Sequence, residues 1–252
     1  MTQHLYILTG ASRGMGLAIA EQLLKPDHTL VCISRKTNDK LQQHAQSAGA
    51  TLEQWTHDLT QSIPVAAKLA HWLQHQGRND WSSATLINNA ATIANLVPLS
   101  QSDPTDLAHT LRVGLEAPMQ LTAAFLHATD AWTGQRRVLN ISSGLARRAM
   151  ASQAGYCAAK AGVDHFTRCV ALDEALKANG AKVCSLAPGV IDTDMQVLLR
   201  GADARAFPDQ GNFASMKKND QLTSPADAAS RVLAYLERAD FGATPVADVR
   251  DQ

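Results

Sequence analysis

The chain has 252 residues, 45% hydrophobic and 18% charged, which supplies enough apolar material for one large α/β core. Lys plus Arg and Asp plus Glu each number 23, with no basic block, so a nucleic-acid partner has no electrostatic support. The four cysteines form no Cys-x-x-Cys pair, and the nine histidines are dispersed, which argues against a metal site and for reduced thiols in a cytoplasmic protein.

No charged leader precedes the first strand-like run, and no apolar segment approaches the ~18 residues that a membrane span needs. The alternation of strand and helix along the chain predicts an α/β fold. It would be a Rossmann-type doubly wound sheet of about seven parallel strands with helices on both faces. Residues 1–252 then form a single dinucleotide-binding and catalytic domain.

Residues 4–9 read as a buried strand. Gly10-Ala11-Ser12-Arg13-Gly14-Met15-Gly16 follows, and then a helical run that stops near Pro26. A strand, a glycine loop and a helix in that order suit phosphate binding. The glycines permit a tight turn and close backbone approach, and the free amides of the new helix face an anion.

Residues 29–34 form the second strand, whose end should reach an adenosine ribose. An acidic residue there would bind the 2′-hydroxyl of NAD. Here the sequence is Ser34-Arg35-Lys36, with Arg13 in the glycine loop. Guanidinium groups can grip a 2′-phosphate, so NADP is expected over NAD.

Residues 38–49 are predicted helical, 51–55 a third strand, and His57-Asp58-Leu59 closes it. Asp58 is placed to hydrogen-bond an adenine amino group, to cap the next helix over 62–76, or to do both. The fourth strand, 84–88, ends in Asn88-Asn89-Ala90-Ala91, small enough for a ribose to lie on the backbone. Asp103 and Pro104 open a long helix as N-cap and first residue, and Pro118 inside it should kink it.

Residues 137–142 form the fifth strand, with Ser143 just past its end. A helix is expected over 154–179 with Gly180 as its C-cap. Tyr156 and Lys160 lie four apart on it, on one face. A phenol is a poor acid or base at neutral pH, with a pKa of about 10. A lysine one helical turn away should favour the phenolate and lower that value. With a serine hydroxyl beside them, the groups would form a proton donor–acceptor for a carbonyl/alcohol pair.

Residues 181–186 give the sixth strand, followed by Pro188-Gly189-Val190 and Asp192-Thr193-Asp194-Met195. Residues 192–222 have mixed periodicity and are expected to form a flexible flap over the site. Ser224, Pro225 and Asp227 start a last helix, and 243–249 a last strand. Ligands bind at the carboxyl ends of such strands. Gly10, Ser34, Asp58, Asn88, Ser143 and Pro188 all fall there.

With these residues in hand, the chain resembles the short-chain dehydrogenase/reductase family over nearly all its length. The resemblance rests on Thr9-Gly10-x-x-x-Gly14-x-Gly16, Asn88-Asn89-Ala90, Ser143 thirteen residues before Tyr156, Tyr156-x-x-x-Lys160, and Pro188-Gly189 with Thr193. It implies hydride transfer with a nicotinamide cofactor. Tyr156 would be the acid/base and Ser143 would polarise the substrate oxygen. Lys160 would lower the tyrosine pKa and bind the nicotinamide ribose.

Cofactor contacts are expected from three groups of residues. The glycine loop offers Gly10, Ser12, Arg13, Gly14, Met15 and Gly16. The adenosine end offers Ser34, Arg35, Asp58 and Leu59. The nicotinamide side offers Asn89, Ala90, Tyr156, Lys160, Pro188, Gly189, Val190 and Thr193. No metal is implied.

Within the family the chain is most similar to sepiapterin reductases and bacterial benzil (diketone) reductases. The supporting runs are 115–119, 140–144 and 192–196. The implied reaction is NADPH-dependent reduction of a ketone or 1,2-dicarbonyl, with the proton from Tyr156, in a homodimer or homotetramer. A pterin reductase is the alternative, with Asp248 as the candidate for holding the pterin amino groups.

Two departures stand out. Ala91 replaces the family's glycine after Asn-Asn-Ala. More consequentially, Gly114 stands where the family carries a tetrad asparagine that relays protons through water to the lysine. A nucleotide-binding sensor that has lost turnover is therefore a further alternative.

Overall fold

The computed structural model describes residues 3–251. Seven strands form one sheet, all neighbours parallel, in the order β3-β2-β1-β4-β5-β6-β7. In chain order the first half runs β1 (His4–Thr9), α1 (Gly14–Gln22), β2 (His28–Ser34), α2 (Asp39–Ala48), β3 (Thr51–Thr56), α3 (Ser62–Gln74) and β4 (Ser83–Asn88). The second half runs α4 (Pro104–Leu111), α5 (Ala117–Thr129), β5 (Gln135–Ile141), α6 (Ala154–Ala175), β6 (Lys182–Ala187), α7 (Asp194–Arg200), α8 (Gln210–Lys218), α9 (Pro225–Leu236) and β7 (Val246–Asp248).

Successive strand residues point to opposite faces of a sheet, so a strand covered on both sides must be apolar throughout. In β1, Tyr6 and Leu8 pack with α1 and α9 on one face. Leu5 and Ile7 pack with α3 and α5 on the other. That division runs through the central strands and leaves their carboxyl ends along one edge. Thr9 pairs with Ile33, Asn88 with Asn140, and Ala187 with Asp248 there.

Start signals behave as their chemistry predicts. Asp103 accepts from the Thr105 amide (2.7 Å), and Ser224 Oγ accepts from the Asp227 amide (3.1 Å). One expectation needs correction, and another takes a specific form.

The disturbance expected at Pro118 takes the form of a π-helical turn, Arg112–Glu116, inserted between α4 and α5. Pro118 has no N–H to give to the Gly114 carbonyl four residues back, and the widened turn absorbs that defect. Gly180 is not the cap of α6, which ends at Leu176. A Cβ at position 180 would overlap the Glu174 carbonyl, so this glycine serves close approach.

Residues 192–222 carry their own helices. They fold into α7 and α8 around Leu199, Phe207 and Phe213, supported by Ile93, Leu96 and Met150 from elsewhere in the chain. A bridge between Ile191 and Thr223 closes the base of this excursion. Among the described residues, no helix is long and apolar enough to cross a membrane.

Candidate active site

A cleft of about 1170 Å³ lies along the carboxyl ends of the strands. Every residue singled out above for catalysis or cofactor binding lines it, from Gly10 and Ser34 at one end to Ser143, Tyr156, Lys160 and Thr193 at the other.

The glycine end is built by close backbone approach. Gly10 has φ +73° and Gly14 φ +56°, the left-handed region that glycine adopts without penalty. A Cβ on Gly16 would overlap the Gly10 carbonyl, so α1 begins hard against β1. Arg13, at the N-cap of α1, offers no side-chain cap, and no acidic residue occupies the first turn. The first amides of α1 therefore face the cleft without a protein acceptor, an arrangement that suits a phosphate.

Thr9 holds the opposite wall. Its Oγ1 accepts from the amides of Asn89 and Ala90, each at 3.0 Å, and Asn89 Nδ2 donates to the Thr9 and Gly10 carbonyls. Thr9, a motif residue with no signal of its own in the sequence, ties the Asn89-Ala90 run to the glycine loop.

At the adenosine end, Ser34 Oγ is buried with no hydrogen-bond partner, a group that a bound polar ligand would satisfy. Asp58 caps the short turn after β3, its carboxylate accepting from the Thr60 amide (2.9 Å). That bond holds its carboxyl below the usual range, with a smaller contribution from Arg35. Asp58 caps here and still lines the cleft.

Arg13 pairs with Asp194 at the start of α7 (2.6 Å), both side chains exposed, and so bridges the glycine loop to the 192–222 excursion. These residues fit a dinucleotide: free amides, glycine approach, and an orphan hydroxyl at the ribose position.

The catalytic end is set by β5 and α6. Ser143, in extended backbone, stands just past β5, and its Oγ accepts from the Leu145 amide (3.1 Å). Tyr156 and Lys160 share one face of α6, with Lys160 Nζ 5.7 Å from the phenol ring centre. Lys160 is buried and donates to the Ile141 carbonyl (2.7 Å).

Burial pushes the Tyr156 phenol up to about 12, against the pull of the Ser143 hydroxyl. Burial outweighs whatever pull the Lys160 ammonium, directed at the Ile141 carbonyl, exerts on the phenol. Burial also brings Lys160 down to about 8, with Asp164 opposing.

Leu145, Met150, Met195, Leu199, Phe213 and Met216 line the remainder of the cleft together with polar groups such as Arg148, Asn212 and Gln221. Asp248 lines it too, but Arg250 grips its carboxylate through two bonds (2.7 and 2.6 Å). No cluster of metal-ligating side chains occurs among the described residues.

Comparison with known proteins agrees with this geometry. The family model described as short chain dehydrogenase matches residues 4–203. A benzil reductase ((S)-benzoin forming) of Bacillus cereus is 34% identical over 235 residues, covering 93% of this chain and 94% of that one. A sepiapterin reductase of Meriones unguiculatus is 29% identical, covering 93% and 92%. A crystal structure of a short-chain dehydrogenase/reductase from Burkholderia vietnamiensis is 35% identical, covering 99% and 98%, with a TM-score of 0.65. The chain belongs to the short-chain dehydrogenase family and is an NAD(P)-dependent oxidoreductase.

Proposed function

We propose that the protein is an NADPH-dependent reductase of ketones, 1,2-dicarbonyls in particular, with Tyr156 as proton donor. The observation that carries this reading is the meeting of Ser143, Tyr156 and Lys160 at the apolar-walled end of the cleft. A bound reduced nicotinamide would supply the hydride.

The protein's own groups do the rest. Ser143 orients the carbonyl oxygen by donating to it. Tyr156, which keeps its proton at neutral pH, transfers that proton to the oxygen. Lys160 holds a positive charge near the phenolate left behind and stabilises it. Ser34 and Arg35 at the end of β2 support NADP over NAD, since no carboxylate stands there to repel a 2′-phosphate.

The similarity to a benzil reductase supports a flat, aryl-substituted diketone. The Met- and Leu-lined wall suits it, since such side chains adapt to aromatic rings. A pterin is less well served. Asp248, the carboxylate placed to hold its amino groups, already spends its acceptors on Arg250.

The whole chain would work as one catalytic unit, with 192–222 as its substrate lid. Leu172 and Leu176 on α6 are 71% and 89% exposed, apolar surface that supports self-association into a dimer or tetramer.

The test is oxidation of NADPH, followed by its absorbance, against benzil, simple aldehydes and ketones, and sepiapterin. Benzil turnover well above the rest supports the reading. Preferential sepiapterin reduction would replace it with the pterin reductase, and no turnover with any carbonyl would overturn it.

A further inference from the structure

The face of α6 that carries Tyr156 and Lys160 continues one turn further to Asp164, which is 2% exposed. A buried carboxylate requires partners, or it costs several kcal/mol. Asp164 Oδ1 accepts from Ser142 Oγ (2.5 Å) and from Ser185 Oγ (2.6 Å). Ser142 is the residue before Ser143, and Ser185 lies on β6. One carboxylate oxygen thus ties the tip of β5 and the middle of β6 to the helix that carries the reacting phenol.

Its other oxygen, Oδ2, has no hydrogen-bond partner. The Arg147 guanidinium, half-exposed, approaches it to 3.8 Å. Arg147 itself donates to the Ala247 carbonyl (3.0 Å), which fixes the loop after Ser143 to β7.

We propose that Asp164 is a positioning residue for the reaction, one that seats Ser143 through Ser142 and sets a carboxylate one helical turn from the buried Lys160 ammonium. This rests on the proposed roles of Ser143, Tyr156 and Lys160. Asp164 touches no reacting atom and acts through its neighbours.

Tyr156 and Asp164 flank Lys160 on its own helix. From β5 it meets only the Ile141 carbonyl. Asp164 faces Arg147 from the loop after β5 and the Cys184 thiol on β6, whose pKa burial pushes up to about 12 with Asp164 adding to it. Asp248 and Arg250 lie beyond Arg147.

Lys160 is held near 8 by burial, with Asp164 raising it. Loss of the Asp164 charge leaves burial unopposed, so Lys160 gives up its proton at lower pH.

The experiment is the pH profile of kcat/KM for benzil reduction with NADPH, in wild type, Asp164→Asn, Ser142→Ala and Tyr156→Phe. Asn retains an acceptor for the two serines and loses the charge. The alkaline limb of Asp164→Asn should move down by about one pH unit, roughly tenfold in rate above the limb, with less than threefold loss at pH 6. Ser142→Ala should lower kcat without moving the limb.

A uniform loss across pH, or an unmoved limb in Asp164→Asn, overturns the inference. So does a shifted limb in Ser142→Ala. Should Asp164→Asn not fold, the limb is read in Arg147→Gln. Removal of that cation leaves the Asp164 charge to Lys160 alone, so the limb should rise, and a stationary limb overturns the inference. Retained activity in Tyr156→Phe would instead overturn the proposed acid, a separate failure.

Discussion

Gly114→Asn probes the proton route, because it restores the side chain that the family carries at this position. Gly114 is buried within the π-helical turn. A Cβ there would meet Ala159 Cβ at 3.1 Å and no other atom within 4 Å. Ala159 precedes Lys160, so the new side chain presses on the helix turn that holds the ammonium.

Two effects oppose each other in stability. Replacing a helical glycine gains up to ~1 kcal/mol, whereas overpacking costs about 1–3 kcal/mol where nothing yields. The net is a loss of about 0–3 kcal/mol, and Ala159→Gly in the same chain should recover the packing part.

Turnover follows a different argument. Pro118 cannot donate to the Gly114 carbonyl, so that oxygen can take a water whether or not residue 114 bears an amide. Backbone can then do the holding, and Gly114→Asn should change kcat by less than about tenfold, ~1.4 kcal/mol. General acid–base steps are worth about 100- to 10,000-fold, so a broken relay would be evident.

The assay is steady-state NADPH oxidation with benzil in wild type, both single variants and the double variant, with thermal denaturation alongside. A wild type inert with every carbonyl, rescued by Gly114→Asn, would refute the reasoning and favour a nucleotide-binding sensor.

Three further outcomes follow from the site. NADPH should bind at least tenfold more tightly than NADH by fluorescence titration, about 1.4 kcal/mol, and Arg35→Asp should reverse the preference; equal affinities in wild type would dissolve the assignment. Tyr156→Phe should lower kcat by about 100-fold or more while NADPH affinity stays within about twofold, because only the proton is removed. Thr9→Val keeps shape but leaves the Asn89 and Ala90 amides without their acceptor, at about 1–3 kcal/mol for each buried donor; a lower Tm together with weaker NADPH binding is expected, and an unchanged Tm would mean that water replaces the hydroxyl.

The features legible in the sequence are those fixed by local chemistry. Strands such as β2 were readable because both faces are covered, which leaves an uninterrupted apolar run. The glycine loop was readable because only glycine fits a positive φ and a carbonyl at contact distance. What escaped depends on partners far apart in the chain. Arg13 and Asp194 are 181 residues apart. The order in 192–222 comes from a small core that borrows Ile93 and Met150, so its own periodicity looked mixed. Pro118 announced a disturbed helix but not the form that the disturbance takes. Asp164 lay four residues from Lys160, yet its meaning depends on Ser142 and Ser185, which only the sheet brings to it.

The same gap between spacing and surroundings bears on the direction of the reaction. From spacing alone, Lys160 should make Tyr156 more acidic. Folding instead places both groups where burial prevails, and it moves them in opposite directions: the phenol up to about 12, the ammonium down to about 8. On the proposed assignment, the form present at neutral pH is a protonated phenol beside a mostly protonated lysine. That is the form ready to give a proton to a carbonyl oxygen, as reduction requires. Oxidation of an alcohol needs the phenolate first, and raising the pH to form it strips Lys160 of its charge before Tyr156 yields its proton. The two conditions for oxidation therefore exclude each other in the free enzyme. At pH 7 benzil reduction should outpace benzoin oxidation under saturating cofactor, and alkaline pH should fail to rescue the oxidation. An oxidation rate that climbs steadily past pH 9 would mean that Lys160 keeps its charge there, and that burial is not what sets the pair.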